Sequence, residues 1–576
     1  MNALIEIRNL HYRPDSIPSE QPDILDGITL DIHAGEFVTI LGENGSGKTT
    51  LIKHINGLLH PTEGTVRING LDTRTEENLA QIRLNVGMVF QNPEDQIVAS
   101  TVEEDIAFGL ENLNIDTKEI SSRVSEQLEI MGLSVYAHRP PYLLSGGELQ
   151  KLALAGVLVR CPKVILFDEP TSMLDPVARN ASLSKIRELH QQGMTVIYVT
   201  HYMEEAVYAD KIIVLKDGKV ISQGKPIDIF SQRQILYETG LELPEVVRMA
   251  NQFRAFGWDL PSNILTPEEL LLQKLPSFSG KQTQFVPKNI SQCDDQVLIN
   301  IQDVNYTYLA NTPFEKQALN NVSLSISQEK IHGLVGINGS GKSTLLQHLN
   351  GILRPTSGEI FLKNLKLHNP DTKLKDIIEK VGLVFQNPES QFFESFVGEE
   401  IAYGPKQFKF DEVRNRVKEA MSLVGLDFEI YKDRRLTTLS GGEKRKVALA
   451  STLVLQQDIL LFDEPTAGMD PASRHKMLDL FKSLRDQGKT ILISTHRLDE
   501  LAQISDHMSL MKTGKVLKTG HTKDIFQSNQ TIKDAGLLVP LSVQISNKLV
   551  SNGWPIQNRD TSTLDKLFDV IKEFSS

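Results

Sequence analysis

Two glycine-rich loops, each ending in lysine and a hydroxyl residue, carry the most specific chemistry in this chain of 576 residues. The first runs Gly42, Glu43, Asn44, Gly45, Ser46, Gly47, Lys48, Thr49, Thr50, and the second Gly336, Ile337, Asn338, Gly339, Ser340, Gly341, Lys342, Ser343, Thr344. Glycines let backbone N–H groups wrap a polyphosphate, the helix that follows presents its positive end, and the lysine reaches the outer phosphates. The ligands this implies are ATP and Mg²⁺, with the hydroxyls of Thr49 and Ser343 on the metal. Each loop follows an apolar strand pattern, FVTILG or IHGLVG, and opens a helical one. That context separates a phosphate loop from a chance match.

Paired carboxylates follow at the ends of two apolar strands, ILFDEP and LLFDEP. Asp168 and Asp463 are expected in the Mg²⁺ shell, and Glu169 and Glu464 are placed to polarise an attacking water or take its proton. The plainer alternative makes these carboxylates helix caps before Pro170 and Pro465. Capping alone is a poor reason for Asp-Glu at the end of an apolar strand in both places. His201 and His496, expected to end the strands VIYVTH and ILISTH, fall at the distance from the acidic strand that suits a contact with the γ-phosphate. Gln91 and Gln386 end shorter runs, VGMVFQ and VGLVFQ, and are read as sensing both Mg²⁺ and a docking partner.

The third element is a serine followed by two glycines at a helix start: Ser145-Gly146-Gly147-Glu148 and Ser440-Gly441-Gly442-Glu443. Such a start exposes N–H groups and a hydroxyl to an anion. A phosphate already has a loop within its own copy, so this second anion site needs a second source of phosphate. Facing copies would supply it, each loop meeting the other copy's serine-glycine helix.

All these features are one set, repeated. Asp168 recurs as Asp463, Ser145 as Ser440 and His201 as His496, each 295 residues on. Even the two tryptophans correspond, Trp258 and Trp554, each after a glycine and preceded at equal distance by Pro244 or Pro540. Tail-to-core packing is the expected use of that pair. The chain therefore divides into a first ATP-binding domain (1–240), a tail and linker (241–296), a second ATP-binding domain (297–530) and a C-terminal tail (531–576). The polar stretch SFSGKQTQFVPKNISQCDD is read as the linker. Apolar, β-branched runs such as KVILFD and DKIIVLK alternate with helical stretches, which predicts a layered α/β fold with a mostly parallel sheet in each copy.

Composition removes competing classes. A 40% hydrophobic, 23% charged chain of net charge −12 is that of a folded protein, and no nucleic-acid partner is expected. Two cysteines, Cys161 and Cys293, build neither a disulfide framework nor a cysteine-rich metal site. Charges at Glu6 and Arg8 interrupt any signal peptide, and no run of about 18 apolar residues appears. A membrane role would need other polypeptides to supply the spans.

In this order, with Ser172–Asp175 and Ala467–Asp470 between acidic strand and histidine, the motifs resemble the nucleotide-binding domain of ATP-binding-cassette proteins over about 230 residues of each copy. The resemblance implies two tandem P-loop NTPase domains that pair head to tail within one chain, with two ATP molecules in the interface. It also implies an aromatic residue on adenine: Tyr308 fits in the second copy, but Pro14 stands at the matching place in the first, with Tyr12 two residues earlier. HINGLL, VFQNPEDQIVASTVEEDIAFG and VFQNPESQFFESFVGEEIAYG are similar to the ATPases of energy-coupling-factor importers. That family implies a transmembrane coupling protein and a small substrate-capturing membrane protein as partners. It also implies a peripheral place on the cytoplasmic face of the cell membrane, and a cargo of vitamins, their precursors, or cobalt and nickel ions. Sugar-importer ATPases are the nearest alternative, but they tend to carry one degenerate site. Ribosome-acting cassette proteins usually have a longer basic linker, and DNA-repair ones carry cysteine-rich zinc modules.

Overall fold

The computed structural model describes residues 3–14, 22–111, 113, 115–172, 174–278, 296–312, 315–369, 371–557 and 559–575. The linker beyond Phe278, with Cys293, and Met173 of the Ser172–Asp175 segment lie outside the described residues. The chain forms two compact units, with the change of unit after Lys274.

Among the described residues of the first unit ten strands make two sheets. They are β1 Ile5–Tyr12, β2 Leu25–Ile32, β3 Phe37–Leu41, β4 Glu63–Ile68, β5 Leu71–Asp72, β6 Val86–Val89, β7 Val164–Asp168, β8 Thr195–Val199, β9 Lys211–Lys216 and β10 Lys219–Gly224. The main sheet has the order β10-β9-β3-β8-β7-β6 and is parallel except for the β9–β10 hairpin. A smaller antiparallel sheet, β2-β1-β4-β5, covers one face, which the sequence reading did not separate from the main sheet. Helices cover the other face.

This sandwich explains the unbroken apolar runs. On β3, β7 and β8 successive residues alternate between two cores. Phe37, Phe167 and Tyr198 face the helices, while Val38, Leu166 and Ile197 face the small sheet. A single polar side chain at any of these positions therefore needs its own partner.

The second unit repeats the plan in β11 Val297–Tyr308, β12 Lys316–Ser327, β13 Ile331–Val335, β14 Ser357–Leu362, β15 Leu365–Lys366, β16 Val381–Val384, β17 Ile459–Asp463, β18 Thr490–Thr495, β19 His507–Lys512 and β20 Lys515–His521. Its sheets run β12-β11-β14-β15 and β16-β17-β18-β13-β19-β20. Each unit closes with a helical tail. Trp258 stacks on Phe253 at 4.4 Å inside the first tail, and the Trp554 indole donates to Pro276 O at 2.8 Å. Each tryptophan thus has a partner in a tail or in the segment Leu275–Phe278. Phe278, read as linker, lies against the second tail, where its N donates to Asn552 O at 3.1 Å. Among the described residues no helix is long and apolar enough to cross a membrane.

One buried polar exception gives a pH prediction. His332, where the first unit has Val38, is fully enclosed on β13, with Nε2 2.9 Å from Ser509 Oγ. Burial, with His507 beside it, pushes the imidazole down to about 3. Above the ordinary value of about 6.5 both folded and unfolded forms are neutral. Below it the unfolded chain takes up the proton first, so stability is lost as pH falls from 6.5 towards 3, by about 1.4 kcal/mol per pH unit. His332→Val should flatten that acid slope in chemical unfolding of the second unit. An unchanged slope between wild type and variant would refute it.

Candidate active sites

Each phosphate loop links a central strand to a helix, Lys48–Ile55 or Lys342–Leu349. Gly47 and Gly341 adopt φ of 98° and 102°, and a Cβ there would fall 2.9 Å from Ile24 O or 2.6 Å from Ala318 O. Conformation and space both demand glycine at these positions. The Lys48 ammonium is buried inside the loop, donating to Gly42 O at 2.9 Å and Glu43 O at 2.8 Å, and burial lowers its pKa. Lys342 likewise donates to Gly336 O at 2.7 Å and Ile337 O at 3.2 Å. The side chains of Glu43 and Ile337 lie against Gly240, at the end of the first ATP-binding domain, and Gly536 of the C-terminal tail. Asn44, Gly45, Asn338 and Gly339 are exposed at the loop tips, while the Ser46 and Ser340 hydroxyls are buried without a hydrogen-bond partner.

At the end of β7 the Thr49 hydroxyl donates to Asp168 Oδ1 at 2.9 Å. Burial pushes Asp168 up to about 6, against the pull of that hydrogen bond. In the second unit burial again raises Asp463, and Ser343 and Ser494 both hydrogen-bond to it. A threonine or serine hydroxyl beside a carboxylate is a hard oxygen donor pair. It fits Mg²⁺, which takes one or two protein ligands and fills the rest with phosphate oxygens and water.

Glu169 and Glu464 come next, each with positive φ, 44° and 47°. That conformation is uncommon for a side chain with a Cβ and turns the carboxyl out of the strand direction. His201 Nδ1 lies 3.1 Å from Glu169 Oε2, and His496 Nδ1 3.0 Å from Glu464 Oε1. Burial acts to raise both carboxyls, but the histidine hydrogen bond and the charges of the histidine and the loop lysine outweigh it and hold them below their ordinary value. The other ring nitrogen, Nε2 of His201 and of His496, is buried without a hydrogen-bond partner. Both histidines sit just past their strands rather than in them, since β8 ends at Val199 and β18 at Thr495. Gln91 and Gln386 are both exposed, and Gln91 Nε2 donates to Glu169 Oε2 at 3.3 Å.

The serine-glycine starts are built alike. Ser145 N and Oγ both donate to Glu148 Oε2 at 2.7 Å, and Ser440 N and Oγ to Glu443 Oε2 at 2.8 Å. These are capping boxes, so within each unit the hydroxyl, read from sequence as free for an anion, is engaged by the glutamate. Gly146, Gly147, Gly441 and Gly442 have no positive φ, and beyond their chain neighbours and own helix backbone no atom stands closer than 3.9 Å to where a Cβ would lie. Nothing inside a unit requires them to be glycine.

Two pairs of residues that motif reading missed organise the segment after Gln91 and Gln386. Gln96 bridges Phe90 N and Ala153 O, at 3.3 and 2.9 Å, and Gln391 bridges Phe385 N and Ala448 O, at 3.3 and 3.0 Å. They tie the strand end to the serine-glycine helix. Buried Asp105 takes Val98 N and Ala99 N, and Glu400 takes Phe393 N and Glu394 N. Their recurrence in both copies was the signal available. Val98 and Phe393 are left outward-facing, 64% and 77% exposed.

A family model described as ABC transporter matches residues 25–172 and again 319–467. The chain belongs to the ABC transporter family. A relative from Methanosarcina mazei, provisionally named an ABC transporter ATP-binding protein, is 33% identical over 573 residues, spanning 96% of this chain and 95% of its own. A second, so named in Caldanaerobacter subterraneus, is 34% identical and spans 92% and 94%. An energy-coupling factor transporter ATP-binding protein of Clostridium novyi is 47% identical over 269 residues, 46% of this chain and 96% of its own. The protein is thus a tandem ABC ATPase, two P-loop NTPase domains that bind and hydrolyse ATP.

Proposed function

We propose that this ATPase energises an importer of the energy-coupling-factor type, seated on the cytoplasmic face of the cell membrane. Its partners would be a transmembrane coupling protein and a small substrate-capturing membrane protein. The observation that carries the importer reading is the 47% identity with the Clostridium novyi protein over nearly that protein's whole length. The outward apolar side chains beyond each glutamine, Val98 and Phe393, support a docking surface for membrane helices there.

Within each copy Lys48 or Lys342 would lie on the outer phosphates, and Thr49 with Asp168, or Ser343 with Asp463, would hold Mg²⁺ with Gln91 or Gln386 near it. Bound there, the metal would neutralise charge on the transferred phosphoryl group. Glu169 and Glu464, held in the ionised range, would take the proton of the attacking water. The unpartnered Nε2 of His201 and His496 would turn to the γ-phosphate. Glycines that no atom of their own unit requires support a close approach from outside: Ser440–Glu443 to the nucleotide on Gly42–Thr50, and Ser145–Glu148 to that on Gly336–Thr344.

The two sites should bind unequally. Tyr12 is edge-on to His54 at 4.7 Å, as Tyr306 is to His348, which leaves Pro14 as the counterpart of Tyr308. Stacking on adenine is worth about 0.5–1.5 kcal/mol, so the first loop should bind ATP several-fold more weakly. Titration of Lys48→Ala and Lys342→Ala proteins reads each remaining site, and equal affinities would remove the idea.

The importer reading is tested by purifying the tagged protein from detergent-solubilised native membranes and identifying its companions by mass spectrometry. A multi-span coupling protein with small membrane proteins is the expected result. Ribosomal proteins, or no membrane protein, would overturn it.

A further inference from the structure

Behind each glutamate–histidine pair lies a second carboxyl that the chemistry above does not use. Glu205, only 2% exposed, stands on the short helix Met203–Ala206 just past His201. Its Oε1 accepts from Thr171 Oγ1 at 2.6 Å, and its Oε2 from Tyr198 Oη at 3.0 Å and Thr200 Oγ1 at 2.5 Å. Thr171 is two residues beyond Glu169, and Thr200 is the neighbour of His201. Arg179 Nε, on the helix Pro176–Gln191, comes within 3.8 Å of the same carboxyl. Burial and Glu205 itself push the Tyr198 phenol well above its ordinary value, so it remains a donor.

The second unit keeps the carboxyl and changes part of what holds it. Glu500 is 3% exposed. Thr466, two residues beyond Glu464, donates to its Oε2, and Arg497, the neighbour of His496, lies 3.0 Å from its Oε1. Arg474 Nε approaches to 3.4 Å, and Ile493 stands where the first unit has Tyr198. Three hydroxyls and a more distant guanidinium in the first copy, and one hydroxyl and two guanidiniums in the second, converge on one shared element, the buried carboxyl. In both copies it fastens a residue beside the catalytic glutamate to a residue beside the histidine.

We propose that Glu205 and Glu500 are positioning residues for ATP hydrolysis, each holding its glutamate and histidine in mutual register. The inference rests on the roles proposed above for Glu169, Glu464, His201 and His496. A geometric role of this kind acts on turnover rather than on nucleotide binding.

The test is a pair of substitutions in the full-length protein, Glu205→Gln with Glu500→Gln, so that an intact copy cannot mask the effect. The kcat for ATP should fall about ten- to hundredfold while KM moves less than about twofold. Added to His201→Ala with His496→Ala, the same pair should cost nothing further, since both changes disable one unit of geometry. Should the glutamine variants misfold, Thr171→Val with Thr466→Val cuts one arm of each tie at constant shape and should lower kcat in the same sense at steady KM. A raised KM with kcat preserved, or a loss that multiplies with the histidine substitutions, would overturn the inference alone. Full activity in the histidine double variant would overturn the catalytic reading and this inference with it.

Discussion

Glu169→Gln combined with Glu464→Gln is expected to lower ATP turnover by about 10²- to 10⁴-fold, the usual worth of a positioned general base. ATP binding should survive, because the loop lysines and glycines are untouched. The carboxyls owe their effect to two features. Each is held below its ordinary pKa by the histidine at 3.1 or 3.0 Å and the loop lysine, so each is ionised and able to accept a proton at neutral pH. Each also sits at positive φ, a conformation that persists only where surrounding structure over-determines it. Glutamine keeps the shape and removes the proton acceptor. Steady-state hydrolysis beside nucleotide titration reads the two quantities separately, and full activity in both single variants would show that the base lies elsewhere.

The second large effect is expected at the serine-glycine helix starts. Gly146→Asp with Gly441→Asp should leave the thermal midpoint of the protein near that of the wild type. The Cβ of each new side chain has no atom within 4 Å beyond its chain neighbours and its own helix backbone, and an acidic residue in a first helical turn is mildly favourable. Hydrolysis should nevertheless fall about a hundredfold, the scale for losing preorganised donors around a developing charge, since a carboxylate would repel the phosphate meant to approach there. ATP should still bind the phosphate loops. Unchanged hydrolysis would mean that these helix starts never meet nucleotide and that the copies do not work as a facing pair. The calorimetric midpoint and the ATPase rate together decide.

What sequence alone could determine here is the local chemistry, because its parts are contiguous. A phosphate loop is nine consecutive residues whose backbone does the work, and a capping box spans four, so residue type and spacing suffice to name Gly42–Thr50 or Ser440–Glu443. The duplication added a control, since chance seldom repeats one motif 294 residues on and another 295. The unbroken apolar runs, buried on both faces, likewise announced the parallel strands. Tertiary structure decided whatever depends on which distant segments become neighbours. The small antiparallel sheet is formed by strands whose alternation is blurred by bulges in β1 and β11. Trp258 found its ring partner inside its own tail, and Trp554 found a carbonyl near the end of the first repeat, neither of which follows from their matching positions. Tyr12 was shown to belong to a packing pair with His54, which fixes Pro14 as the odd residue at the first site. Above all, Glu205 and Glu500 look like ordinary helix carboxyls in the sequence. Only folding brings Thr171 and Thr200, 29 positions apart, onto one buried oxygen pair, because β7 and β8 lie side by side in the sheet and end at the same edge.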